Sequence, residues 1–386
     1  MPVSRLQHIP GIGVDVMGDR ADALADASML RLENLDTDLR PPSIALARTL
    51  EAVEEDSANS YLPFQGAGSL RRAAAEHVGR SARRSYDPET ECVITAGGLN
   101  GILNTLLALV EPGDEVVIAD PIYAGLVNRI HLAGGVPRFV ALEPTADGWR
   151  VDPDRLAAAV TAKTAAVLMM SPAMPTGSVL GRAHWEALAG ALERSNAWLI
   201  YDAAMERIRF DDGERVHPAQ VDGLAERTIS VGAASKELRM IGWRVGWVVG
   251  PAQILRDIHL VGMSNVVCQV GIAQEAVAAA LSAPDADEDV AQATATWKAR
   301  CDAIVTQLAG YPVIRPDGGW SLLIDTLPLG LSADAAVERL FEQGRIAATP
   351  MTGWGPAGDR YVRLVFANEP LARLGDLRAR FDEAWS

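Results

Sequence analysis

Between about residues 91 and 250 the chain alternates short apolar runs with stretches of helical period. The runs are residues 92–95, 115–119, 138–142, 165–170, 197–201, 228–232 and 245–249. They are continuous rather than alternating, the pattern of strands covered on both faces, as in a parallel sheet. Helices fit between them. Residues 100–110 follow the first run, and residues 183–193 carry an apolar stripe. Glu111-Pro112-Gly113-Asp114 and Ala133-Gly134-Gly135 supply stop signals between a helix and the next strand. The predicted fold is an open α/β domain, a mostly parallel seven-stranded sheet between helices.

The flanks differ in texture. A mostly helical lead-in is broken at Pro41-Pro42. After about Pro284 a long helical pattern over residues 287–308 leads to short strands at 320–324 and 362–366, then to a terminal helix. The expected division is an N-terminal segment, 1–45, packing with a small domain; a large domain, 46–285; and a small α+β domain, 286–386. Internal repeats and low-complexity tracts are absent from the sequence.

Composition narrows the functional classes. The 386 residues hold 49% hydrophobic and 22% charged residues, an ordinary globular mix. Thirty-five basic against 50 acidic residues leave a net charge of −15. That disfavours nucleic acid or an anionic membrane as the main partner, since both need a basic face. Cys92, Cys268 and Cys301 are far apart and suggest neither a disulfide framework nor a metal site. The six histidines show no metal spacing. Residues 1–18 lack a basic start followed by an apolar run, and no apolar stretch approaches about 20 residues. The expected location is the cytoplasm.

Ligands of open α/β sheets bind at the carboxyl ends of the strands. Three features fall there. Ser235-Lys236 follows the run 228–232 and precedes Gly242, Arg244 and Gly246. A lysine just past a buried strand is either a solvated loop residue or an amine whose pKa is lowered for Schiff-base chemistry. Asp202 directly follows the run 197–201, where it could cap the next segment or hold a protonated heterocyclic nitrogen. Thr95-Ala96-Gly97-Gly98-Leu99-Asn100 joins a strand to a helix, and its glycines let the backbone approach an anion.

Together with further anchors, these pieces resemble the fold type I pyridoxal-phosphate enzymes, specifically the class I and II aminotransferases. The anchors, in order, are Tyr61 with Gly66 and Leu70-Arg71; Gly97-Gly98; Asp120-Pro121 with Tyr123; Pro175-Thr176-Gly177; Asp202; Ser235-Lys236 with Gly242 and Arg244; and Arg363. The resemblance implies pyridoxal 5'-phosphate as cofactor, held by Lys236 as a Schiff base, with Lys236 also moving the substrate Cα proton. It implies that Asp202 pairs with the pyridine nitrogen and that Tyr123 stacks on the ring and borders the substrate. Gly97, Gly98, Leu99, Ser235 and Arg244 would hold the phosphate. Arg363 would clamp the substrate carboxylate. Tyr61 would reach the neighbouring subunit's cofactor, making a homodimer with a shared active site.

Three positions depart from the family pattern. Met174 stands where asparagine is usual before Pro-Thr-Gly. Met205 stands where tyrosine is usual three residues after the aspartate. Ala233 replaces the first serine of Ser-x-Ser-Lys. The asparagine and tyrosine normally donate to the cofactor's phenolic oxygen, and methionine cannot donate. Transamination is the default reaction. A lyase, decarboxylase, oxidase or cyclase on the same scaffold is the alternative. A non-catalytic cofactor-binding module is weaker, because Lys236, Asp202 and Arg363 all remain. Trp243, Trp247 and Trp320 are expected in the core or the pocket wall.

Overall fold

A computed structural model describes residues 3, 6–9 and 11–385. The reading of the N-terminal stretch therefore falls in part on residues outside those described. The central sheet has seven strands: β1 (Cys92–Thr95), β2 (Glu115–Asp120), β3 (Val136–Ala141), β4 (Thr164–Met170), β5 (Trp198–Asp202), β6 (Thr228–Ala233) and β7 (Gly246–Val249). Their spatial order is β1-β7-β6-β5-β4-β2-β3. All pairings are parallel except those of β7, which runs antiparallel to both β1 and β6.

The continuous apolar runs became the middle of the sheet. Leu168, Leu199, Ile200, Ile229 and Val231 are all buried, each contributing roughly 1.5–3 kcal/mol by leaving water. One expectation needs correcting. The apolar run 138–142 predicts a strand covered on both faces, but β3 starts at Val136 and lies at the sheet edge. It pairs only with β2, and Val136, Arg138 and Ala141 are exposed. An edge strand has one neighbour, so its apolar positions cover less of its surface.

Helix α1 (Val14–Leu24), α2 (Ser43–Val53) and α3 (Gly68–Ala82) precede the sheet. Helix α4 (Gly98–Leu109) follows β1 directly. Past the sheet, α5 (Ala286–Gln307) leads into a four-stranded antiparallel sheet. Its strands are β8 (Val313–Ile314), β9 (Ser321–Asp325), β10 (Thr349–Pro350) and β11 (Tyr361–Val365), in the order β8-β9-β11-β10. Register places Arg363 of β11 between Leu323 of β9 and Thr349 of β10. The N-terminal segment joins this part of the chain. Leu30–Arg31 pairs in parallel with Ile346–Ala347, and Val365 N–H donates to Leu32 O at 2.7 Å.

The topology gathers the chemistry. β1, β5 and β6 end at Thr95, Asp202 and Ala233 on the carboxyl edge of the sheet, where Gly246 at the start of β7 pairs with both Thr95 and Ala233. The segments that leave those ends carry Gly97-Gly98 and Ser235-Lys236. Among the described residues, no helix is long and apolar enough to cross a membrane.

Candidate active site

Asp202 is the last residue of β5 and is buried. Its Oδ1 accepts from Ala204 N–H at 3.1 Å, so it closes a local turn rather than capping a helix. Burial pushes its pKa up to about 6, against the pull of the Ala204 N–H and of Lys236. Lys236 leaves the end of β6 on a turn held by Met240 N–H to Ala234 O and Arg239 N–H to Lys236 O, both at 3.1 Å. Its Nζ donates to Leu35 O at 3.4 Å and lies 4.4 Å from the centroid of the Trp320 ring. Burial lowers its pKa to about 8; Arg363 and Arg244 push the same way, while Asp36 and Asp202 oppose them.

The sign of that shift decides reactivity. A lowered pKa brings out the neutral, nucleophilic amine at lower pH. In the cofactor-free protein, Lys236 is expected to react with a trace amine reagent with a midpoint near pH 8. An ordinary lysine has its midpoint near about 10.4. Competitive labelling followed by peptide mass spectrometry measures both, and a Lys236 midpoint above 10 would contradict the assignment.

The turn after β1 is shaped for an anion. Gly97 has φ +86°, and a Cβ there would lie 2.6 Å from Arg244 Nη2. A Cβ on Gly246 would lie 2.5 Å from the Gly97 carbonyl carbon. The two glycines therefore admit the guanidinium and the neighbouring backbone. Arg244 itself takes φ +52°, a left-handed conformation that costs about 1–2 kcal/mol for an L-residue. Its Nη1 donates to Ile241 O at 2.7 Å and Ser235 Oγ at 3.4 Å. Gly98 and Leu99 begin α4, whose first-turn N–H groups have no acceptor inside the helix. Arg129 buttresses this turn from behind, with Nε donating to Leu99 O at 2.9 Å. Spare N–H groups at a helix start and a guanidinium beside them suit a phosphate.

Gly98, Leu99, Tyr123, Met174, Asp202, Met205, Ser235, Lys236 and Arg244 line one cavity of about 140 Å³. Met170, Leu35 and Ile241 complete a largely apolar wall. Met174 and Met205 are both buried there. Tyr123 donates its backbone N–H to Met174 O at 3.0 Å, and its ring meets Trp354 edge-on at 5.3 Å. A larger cavity, about 220 Å³, lies at His77, Glu206, Arg207 and His217, but no lysine faces it. Among the described residues no cluster of His, Cys, Asp and Glu could hold a metal ion.

Arg363 stands one aromatic layer away, its guanidinium 4.7 Å from the centroid of the Trp354 ring. It is 0% exposed, yet only one of its three nitrogens is used within the chain. Nη2 donates to Glu33 O at 2.6 Å and to Thr349 Oγ1 at 3.0 Å. Nε and Nη1 are buried without a partner among the described residues. Burial lowers its pKa to about 9, opposed by Tyr123 and Glu33. A buried cation with idle donors is expensive unless a ligand completes it.

Most residues singled out in the sequence thus converge. Gly97 sits just behind the cavity, against Arg244. Tyr61 is not brought to the cavity. It is 83% exposed. Sequence reasoning missed Arg129, Met170, Ile241 and Trp354. Trp320 was read only as core or wall, although it lies under the Lys236 amine.

Residues 32–381 match the model of the family described as aminotransferase class I and II. The chain is 32% identical over 376 residues to the arginine–pyruvate transaminase of Pseudomonas aeruginosa, covering 95% of this chain and 94% of that one. It is 35% identical over 301 residues to a probable N-succinyldiaminopimelate aminotransferase of Mycobacterium tuberculosis, covering 77% and 75%. The solved N-succinyldiaminopimelate aminotransferase of Mycobacterium tuberculosis superposes with a TM-score of 0.92 over 100% of both chains, at 31% identity. Aspartate aminotransferase from Thermus thermophilus with maleate gives 0.92 at 28% identity, covering 100% of this chain and 99% of that one.

Proposed function

The chain belongs to the family of class I and II aminotransferases, and on that premise we propose that it binds pyridoxal 5'-phosphate through Lys236 and moves an amino group from an α-amino acid to a 2-oxo acid. The observation that carries this reading is one cavity holding a half-buried lysine, a buried carboxylate and a glycine-rich helix start with an arginine beside it. That donor set fits the cofactor: an amine for its aldehyde, an acid for its ring nitrogen and N–H groups for its phosphate. Bound there, pyridoxal phosphate supplies a ring that accepts the electron pair released at the substrate Cα.

The chain's own residues do the rest. Asp202, ionised above about pH 6, would keep the ring nitrogen protonated. Gly98, Leu99, Ser235 and Arg244 would hold the phosphate, and Tyr123 would border the ring. Arg363 turns its idle Nε and Nη1 to the substrate carboxylate and so sets which Cα bond faces Lys236. The Lys236 amine, its pKa lowered to about 8, would hold the cofactor and serve as the base that takes the Cα proton.

Borohydride reduction of the cofactor-loaded protein followed by peptide mapping tests the reading. Lys236 is one of three lysines. Lys163 is exposed, and Lys298 pairs with Asp302 at 2.8 Å. The pyridoxyl label is expected on Lys236, and a label on Lys163 or Lys298 would overturn it.

The proposed assembly is a homodimer in which Tyr61 reaches the partner's cofactor. Exposed apolar side chains close to it in sequence, Leu50, Val53 and Phe64, support an interface involving this part of the chain. Sedimentation should give twice the chain mass; a monomer that is fully active would refute the shared site.

The buried methionines predict a spectral effect. Donors to the cofactor's phenolic oxygen stabilise its anionic form and lower the proton affinity of the neighbouring nitrogen. A Met174→Asn, Met205→Tyr double variant should therefore move the pH-dependent change in visible absorbance to lower pH. An unchanged or higher midpoint would show that another group already donates to that oxygen.

A further inference from the structure

Trp320 follows Gly318-Gly319 at the start of β9 and is 1% exposed. Its indole N–H finds no acceptor among the described residues. A buried donor without a partner costs stability, a cost that phenylalanine or leucine at the same place would not carry. The position of the ring is set by packing instead. Trp297 of α5 meets it edge-on, with centroids 5.2 Å apart and planes at 61°. Trp297 in turn donates Nε1 to Thr37 Oγ1 at 3.2 Å.

What tryptophan offers over other aromatic residues is the strongest π face for a cation. That face is occupied, because Nζ of Lys236 lies 4.4 Å from its centroid. The same amine donates to Leu35 O at 3.4 Å, two residues before Thr37. The loop 35–37 thus supplies both the carbonyl for the amine and the anchor for the aromatic pair behind it.

We propose that Trp320 is a positioning residue: with the Leu35 carbonyl it forms a seat for the Lys236 ammonium whenever Nζ is not bonded to the cofactor. The proposal rests on the reading of Lys236 given above. The other charged groups around the amine are divided. Arg363 and Arg244 disfavour the ammonium, while Asp36 and Asp202 favour it. The π face adds to the favourable side without adding a negative charge that would compete for the cationic form of Arg363.

The test is competitive labelling of Lys236 in the cofactor-free full chain as a function of pH. Losing the π face should make the ammonium less stable and the neutral amine available sooner. In Trp320→Leu the midpoint is expected to fall by about one pH unit, and in Trp320→Phe by about half as much, since phenylalanine keeps a weaker face. A merely space-filling role would not rank the two variants in this way. An unchanged or raised midpoint in Trp320→Leu overturns the proposal. Should the leucine variant fail to fold, Trp320→Phe and Trp320→Tyr decide it, and both midpoints must lie below that of the native protein. Borohydride mapping of the same variants loaded with cofactor keeps the two readings apart. A label that stays on Lys236 while the midpoint does not move removes the seat alone, whereas a label elsewhere removes the assignment of Lys236 as well.

Discussion

Lys236→Ala is expected to lower the transamination rate by at least about 10³-fold, the scale of a positioned general acid–base group. The amine that bonds the cofactor and the base that moves the Cα proton would be lost together. The variant should still fold, because truncating Lys236 removes an amine that the interior holds at a cost, with its pKa lowered to about 8 by burial. Circular dichroism and thermal unfolding check the fold, and single-turnover absorbance checks the rate. A variant that retained a tenth of the activity would exclude Lys236 from proton transfer.

Arg363→Ala is the second large effect. Truncating one partner of a buried, hydrogen-bonded charge pair typically costs 2–5 kcal/mol, and each 1.4 kcal/mol is tenfold. The expected loss in kcat/KM is about 10²- to 10³-fold, carried mostly by KM. The cofactor spectrum should be intact, since Arg363 is not among the residues lining the cavity. Part of the loss in stability is separate from function. Glu33 O and Thr349 Oγ1 would lose their donor, and a cavity would open in the small sheet. Arg363→Lys distinguishes the two, keeping a charge but not the fork that matches a carboxylate, so it should recover stability more than affinity. Equal affinity for a carboxylate-bearing substrate in all three proteins would rule out the role.

The two residues were legible to different degrees. Lys236 and Asp202 stand at the ends of continuous apolar runs, and a strand end is where an open α/β sheet presents its chemistry. Their neighbourhood could be argued from local pattern alone. Arg363 sits mid-strand in β11, and nothing in Tyr361-Val362-Arg363-Leu364 distinguishes a buried guanidinium from a surface one. Only resemblance to a family singled it out. Its setting, with two idle donors behind an aromatic ring, belongs to the folded chain.

The edge strand β3 shows the limit of the apolar pattern. Residues 138–142 are apolar enough for a strand, but the pattern does not say which strand is last in the sheet. The wall of the cavity was hidden for a related reason. Leu35 O meets Lys236 Nζ across 201 positions of sequence, and Trp297 meets Thr37 across 260. Such contacts leave no local periodicity to read. Met174 and Met205 were visible as departures from a motif, and the fold places both in the cavity wall.

The account turns on whether the chain exchanges an amino group through pyridoxal phosphate. The most direct measurement is a single turnover of the loaded protein with a panel of α-amino acids and no 2-oxo acid present. For at least one donor the prediction is one equivalent of 2-oxo acid and one of pyridoxamine phosphate per chain, with no free ammonia. Release of ammonia, carbon dioxide or a cleaved side-chain fragment instead, with the cofactor returned unchanged, would contradict it.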